Sequence, residues 1–297
     1  MLEEEVKNLY TEQQKEWKDF AEHVKDLKKI EKKTFDFGNY KVISQFNPAR
    51  AVSSGAKLDP DSIKSRKCFL CPENRPSVQR GLTLNDKFIL LVNPFPILDE
   101  HFTISLIRHE NQEILPYLPD MLFFAEKLPG YIIFYNGPKA GASAPDHMHF
   151  QATRKGQLPL EAEYKTIEKK ILSADKKGSI SQFQHFGRKC FMIESGSKET
   201  VISFFRQLYI QFQLFMNNTE EEPLLNLFTM VEDGKWLLFV FPRKVHRPAI
   251  FYAEGKENKM ISPGAVDMAG ILVLPRKKDF ESLTKEIISG VYNEVSL

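Results

Sequence analysis

Tyr131-Ile132-Ile133-Phe134-Tyr135-Asn136-Gly137-Pro138-Lys139-Ala140-Gly141-Ala142-Ser143-Ala144-Pro145-Asp146-His147-Met148-His149-Phe150-Gln151 is the stretch around which the chain is organised. Its first five residues are apolar and aromatic, the pattern of a buried strand. A turn of small residues follows, and His-x-His-x-Gln then opens a second strand that runs to Thr153. Side chains alternate across a strand, so His147, His149 and Gln151 share one face while Met148 and Phe150 take the core face. The Gly141-Ala142-Ser143 turn offers successive backbone N–H groups, a concavity suited to an anion. An imidazole beside such a turn is what nucleophilic attack on a phosphoryl group requires. The plain alternative is two strand histidines with ordinary hydrogen bonds.

In this order, Asn-Gly, Gly-Ala-Ser and His-x-His-x-Gln resemble the active-site segment of the histidine triad superfamily. More narrowly they resemble its transferase branch, which includes galactose-1-phosphate uridylyltransferase, diadenosine tetraphosphate phosphorylase and GDP-L-galactose phosphorylase. The resemblance implies an α+β fold of duplicated modules, antiparallel sheets with packed helices. It implies a nucleotidyltransferase or nucleotide phosphorylase, with a nucleotide sugar or dinucleotide as substrate and phosphate or a sugar phosphate as acceptor. His149 would be the nucleophile, forming a covalent nucleotidyl-histidine. Gln151, Ser143 and the amides of Gly141 and Ala142 would bond the phosphoryl oxygens; Asn136 and Lys139, flanking that turn, would also contact substrate, Lys139 by neutralising the departing phosphate. Hydrolases of the superfamily usually carry a third His where Gln151 stands. Gln does not carry a proton near neutral pH, which favours transfer to an acceptor over hydrolysis. Hydrolysis on the same fold and nucleotide binding without turnover are the competing readings. Asp146, where relatives often have a less charged residue, speaks for the last.

At 297 residues and 42% hydrophobic content, the chain is one large domain or two fused modules. A net charge of +2 and a pI near 8.2 argue against bulk nucleic-acid binding. Three cysteines make no disulfide framework and suggest a reducing compartment. The acidic N-terminus lacks the order of a signal peptide, and no apolar run reaches the length of a membrane span. A cytoplasmic protein is expected, and self-association into a homodimer is left open. The expected divisions are an N-terminal helix over 1–33, a catalytic half over 34–160 and a supporting half over 161–297.

Cys68-Phe69-Leu70-Cys71 carries the second chemical signal. Two thiolates at this spacing suit a tetrahedral metal, usually Zn(II), and nothing after the first Cys has the helix-opening context of a redox pair. Resemblance to zinc-type galactose-1-phosphate uridylyltransferases supplies two more ligands, His109 ahead of a helix-like run and His147, in a structural site. His101 competes for the third position. The family also points to Arg50 as a phosphate ligand and to Asn93, with Phe95, as nucleoside contacts. The cationic run Arg243-Lys244-Val245-His246-Arg247 is either solvated surface or a second phosphate contact.

Periodicity supplies the remaining elements. Residues 2–32 carry Tyr10, Trp17, Phe20, Val24, Leu27 and Ile30 on one helical face. Strands are expected over 35–46, 88–92 and 101–106, the last half-exposed, with a helix over 111–128. Residues 161–177 look like a charged surface helix and loop. Beyond them come strand-like stretches within 182–194, a Phe-rich helix over 200–215, a hairpin about Glu232-Asp233-Gly234-Lys235, strands at 249–253 and 271–274, and a last helix over 277–289.

Overall fold

The computed structural model describes residues 2–51, 55 and 59–297. Short apolar runs closed by Gly, Pro and Asn/Asp turns become its strands. In the first half these are β1 (Lys32–Asp36), β2 (Lys41–Phe46), β3 (Gly81–Leu84), β4 (Phe88–Val92), β5 (Phe102–Leu106), β6 (Tyr131–Asn136) and β7 (His149–Arg154). In the second they are β8 (Lys169–Ala174), β9 (Gly178–Phe183), β10 (Phe191–Ser195), β11 (Leu225–Glu232), β12 (Lys235–Pro242) and β13 (Ile271–Leu274).

Strands β3 to β12 form one antiparallel sheet in the order β3-β4-β5-β7-β6-β11-β12-β10-β9-β8. The order reads the same from either end. β5, a helix (Leu118–Lys127), β6 and β7 in the first half are matched by β10, a helix (Lys198–Phe215), β11 and β12 in the second. This is the expected duplication, and the halves meet where β6 pairs β11, with Phe134 opposite Phe228. Alternation along β6 sends Tyr131, Ile133 and Tyr135 to one face, where both long helices join a single apolar cluster with Phe88 and Phe150. Ile132 and Phe134 go to the other face and a second cluster. There the cover is a small sheet, β1-β2-β13, with β13 parallel to β2, and the C-terminal helix Lys285–Val295. With both faces covered, β5 is buried along its whole length instead of half-exposed. No helix among the described residues is long and apolar enough to cross a membrane.

Several elements depart from their periodicity, each for a local reason. The 2–32 stretch is two helices, Leu2–Glu16 and Lys18–Leu27, broken at Trp17, whose backbone is extended and whose ring is buried. Residues 35–46 are the β1–β2 hairpin: Gly38 takes a φ of +87° and its N–H bonds Asp36 Oδ1 at 2.8 Å. The helix expected from 111 begins only at Leu118, because Pro116 and Pro119 are tolerated only in a first turn. The charged 161–177 stretch includes the edge strand β8, and 249–253 is a helical turn after Pro248, not a strand. The last helix is two, separated at Thr284, whose hydroxyl accepts from Ile287 N at 3.3 Å.

The seam between the halves is stitched by polar groups. Asn226 on β11 donates Nδ2–H to Asn136 Oδ1 at 3.0 Å and to the Ala140 carbonyl at 2.6 Å. Arg243 in turn donates to Asn226 Oδ1 at 2.8 Å, to the Pro263 carbonyl at 3.0 Å and to the Val295 carbonyl at 3.2 Å. Its guanidinium also bonds the carbonyls of Val245 and His246, and the side chain is fully buried. Arg243 is thus a strut of the fold, not a phosphate ligand, and burial brings its pKa down to about 10. Removing it leaves several buried acceptors unpaired, so Arg243→Met should cost about 3 kcal/mol or more. In thermal denaturation this is a fall of several degrees, whereas Lys244→Met, at an exposed neighbour, should leave the midpoint nearly unchanged.

Candidate active site and metal centre

β7 begins at His149, two residues later than the motif suggests, because the chain at His147 turns into the cysteine knuckle. His149 lies opposite Ser105 on β5, and Gln151 opposite Thr103 on β5 and Phe134 on β6. Both therefore face the side of the sheet covered by β1-β2-β13, while Met148 and Phe150 enter the opposite cluster. β6 and β7 pair only as far as Phe134 and Gln151. Past that point the strands part, and the amide of Gln112 fills the gap. Its Nε2 donates to the carbonyls of Asn136 (2.9 Å) and His149 (3.0 Å), and its Oε1 accepts from His149 N at 2.8 Å. Gln112, unremarked in the sequence, thus fixes the backbone of the candidate nucleophile.

The His149 ring is set by one bond. Its Nδ1 donates to the His147 carbonyl at 2.8 Å, which leaves the lone pair on Nε2. Nε2 has no hydrogen-bond partner among the described residues. Burial pushes the ring's pKa down to about 4, so the imidazole is neutral at physiological pH.

The turn before it is built on Gly141, at φ +102°. A Cβ there would come within 2.8 Å of Gly264 Cα, so the second half packs directly on the turn. Among the described residues the backbone N–H groups of Gly141 and Ser143 bond no protein acceptor, while that of Ala142 reaches the Gly137 carbonyl at 3.4 Å. Asn136 is buried; its Oδ1 accepts from Asn226 and, at 2.7 Å, from Ala265 N, so its acceptor joins the halves. Arg50, on a turn capped by Asn47, lies with Nη2 4.0 Å from the buried Asp267 and near enough to His101 to disfavour its protonation. Lys139 is half-exposed and paired with Glu221 at 2.5 Å. Asn93 Oδ1 caps Phe95 N at 3.0 Å, and the exposed Phe95 ring lies against His23 with centroids 4.9 Å apart. Of the 243–247 run, His246 is kept largely neutral by burial, and Arg247 donates to Ser262 Oγ at 3.0 Å.

The structure brings Cys68, Cys71, His109 and His147 together, each with a ligand atom within 4.8 Å of the others. Cys68 Sγ is 3.2 Å from His147 Nδ1, Cys71 Sγ 3.2 Å from His109 Nδ1 and 3.6 Å from His147 Nδ1. Bonds of about 2.0–2.3 Å to a tetrahedral ion imply ligand–ligand edges of roughly 3.6 Å, so the four atoms fit one. His147 donates Nε2–H to the Leu106 carbonyl at 2.8 Å, which leaves Nδ1 free to ligate. Burial, reinforced by Cys68, pushes the Cys71 thiol up to about 11, so a bound cation would be needed to hold Cys71 as a thiolate. Asp146 is ion-paired with Arg66 and lies 3.9 Å from His109 Nε2, so its charge is already answered within the protein. His101 is not part of the cluster; its Nε2 bonds Gln151 Oε1 at 2.8 Å.

Residues 9–154 match the model of a domain of unknown function (DUF4922), and residues 162–297 match the model of the GDPGP1-like, C-terminal domain. No curated protein matches the sequence. Among solved structures, yeast Ap4A phosphorylase Apa2 aligns over 94% of this chain and 96% of its own, with a TM-score of 0.63 and 16% identity. Its complexes with AMP and with Ap4A align over the same shares, with TM-scores of 0.58 and 0.57 and identities of 17% and 16%. At such identities the likeness is one of fold, and it extends through both halves. The chain thus shares its fold, over nearly its whole length, with yeast Ap4A phosphorylase.

Proposed function

We propose that this chain is a nucleotidyltransferase or nucleotide phosphorylase that works by double displacement through His149. The observation that carries the reading is the ring of His149. With Nδ1–H committed to the His147 carbonyl, Nε2 presents a lone pair on the face that also carries Gln151. The fold shared with yeast Ap4A phosphorylase, solved with AMP and with Ap4A, supports a nucleotide as the substrate.

In the first step Nε2 attacks the α-phosphorus of a nucleotide sugar or dinucleotide. An N–P bond forms as the P–O bond to the departing phosphate breaks, and that phosphate leaves with the electron pair. In the second step an oxygen of inorganic phosphate or a sugar phosphate attacks the same phosphorus, and the N–P pair returns to the imidazole. Gln151 Nε2–H and the N–H groups of Gly141 and Ser143 stabilise the charge on the non-bridging oxygens. Arg50, close enough to His101 to disfavour its protonation, supplies a phosphate contact. Water as acceptor must lose a proton, which the Gln151 amide does not take; phosphate arrives already anionic. That contrast favours phosphorolysis or transfer over hydrolysis.

The Cys68, Cys71, His109 and His147 cluster supports Zn(II) in a structural role, since four protein ligands leave no open position. When bound, the ion would tie the 68–71 knuckle to the backbone that orients His149.

His149→Ala should lower turnover by a factor of about 10³ or more without unfolding the chain. Wild-type protein incubated with α-³²P-labelled nucleotide sugars and dinucleotides should yield an acid-labile, base-stable adduct at His149. The reading fails if no adduct forms and the alanine variant keeps its turnover. Protein made with zinc supplied should hold about one equivalent per chain. Cys68→Ser or Cys71→Ser should lose the metal and lower the melting temperature; zinc-free wild-type protein would overturn the assignment.

A further inference from the structure

Gln151 is the group of the His-x-His-x-Gln stretch whose usefulness depends on which way round it sits. A primary amide ends in an acceptor oxygen and a donor nitrogen of nearly the same shape, and only the nitrogen bonds an anionic phosphoryl oxygen. With the oxygen outward, the same side chain would repel the phosphoryl group.

The neighbour that settles this is His101, next to the start of β5. The backbone N–H of Ile97 points at His101 Nδ1 from 3.3 Å, and a backbone N–H has no alternative orientation. Nδ1 is therefore the acceptor, and the ring proton stands on Nε2. Nε2 lies 2.8 Å from Gln151 Oε1, so it donates there and holds the amide oxygen inward. The Gln151 nitrogen is left with no protein acceptor among the described residues. His101 has little freedom to do otherwise. It is 2% exposed, and its ring lies nearly parallel to that of Phe134, 20° apart with centroids at 5.8 Å. Burial, with Arg50 nearby, brings its pKa down to about 4, against the opposing pull of the Gln151 bond. The ring thus keeps a single proton, and an imidazolium with two donors would face the Ile97 N–H with no acceptor.

We infer that His101 is a positioning residue for the transfer reaction, relaying the fixed direction of the Ile97 N–H through its ring so that Gln151 presents its NH2 group to the phosphoryl oxygens. The inference rests on the reading of His149 as nucleophile. It also gives His101 a place in the chemistry although it ligates no metal and touches no substrate.

The test is a double-mutant cycle on the whole protein, with an activity-independent measurement beside it. His101→Phe keeps an aromatic ring against Phe134 and removes the donor. It should lower kcat by about tenfold to a hundredfold with little change in KM for the nucleotide. His101→Gln, which carries an amide N–H at a similar reach, should recover most of that loss. In the Gln151→Ala background, His101→Phe should cost nothing further, because its effect passes through Gln151. In ¹H–¹⁵N spectra the His101 Nε2–H proton should be visible and hydrogen-bonded in the wild type, and lost or shifted in Gln151→Ala. Independent losses in the double variant, or an Nε2–H signal indifferent to Gln151→Ala, would overturn the positioning role. Wild-type protein that turns over no nucleotide would instead overturn the transfer reading on which it rests.

Discussion

The bond from His149 Nδ1 to the carbonyl of His147 is the constraint on which the candidate chemistry depends. A neutral imidazole has one proton and one lone pair, and whichever nitrogen bonds an acceptor gives up its role as nucleophile. By offering a backbone acceptor to Nδ1, the chain leaves the ring's lone pair on Nε2 without a second titrating group. The residue that offers it also turns its own side chain into the cysteine cluster. Residue 147 thus serves two sites, the ring as a metal-ligand candidate and the carbonyl as the orienting group for His149. Gln112 completes the arrangement by holding the His149 backbone from the loop after β5. The ring is consequently held in one orientation by its own chain, and its backbone by Gln112.

Much of this was legible in the residues themselves. The strand, the turn of small residues and the alternating His, His and Gln lie within twenty-one consecutive positions, so local geometry alone sets their common face. Only the resemblance to zinc-type galactose-1-phosphate uridylyltransferases paired the cysteine knuckle with His109 and His147, and the structure brings the four together. Gln112 and His101 were harder to recognise. Their importance comes from contacts made across the sheet, and nothing in a sequence marks which glutamine will meet two parting strands. His101 was weighed as a metal ligand because residue type alone does not distinguish a thiolate neighbour from an amide. Arg243 misled in the opposite direction: a cationic run resembles surface, yet its first member is entirely enclosed because carbonyls from three separate segments converge on it. Breaks at Trp17 and Thr284 escaped periodicity for a related reason, since an apolar stripe continues across a kink when both pieces pack on one surface.

The duplicated architecture is symmetric in its connections and asymmetric in its chemistry. β12 occupies the place of β7, yet its sequence is Lys-Trp-Leu-Leu-Phe-Val-Phe-Pro and has no histidine. Where the first half opens into the twelve-residue segment from Gly137 to Met148, the second closes in the two-residue turn Asp233-Gly234, with φ values of 49° and 75°. The second half therefore has no counterpart of His149 and no counterpart of the loop before it. Its contribution is made across the seam, through Asn226, Gly264 and Ala265, whose contacts hold Asn136 and crowd Gly141.

The seam bears on whether either half could stand alone. Asn136, Gly141, Asn226 and Gly264 lie on an internal interface that neither half completes by itself. A lone copy of the first module would expose the edge of β6 and lose the partner of its anion-facing turn.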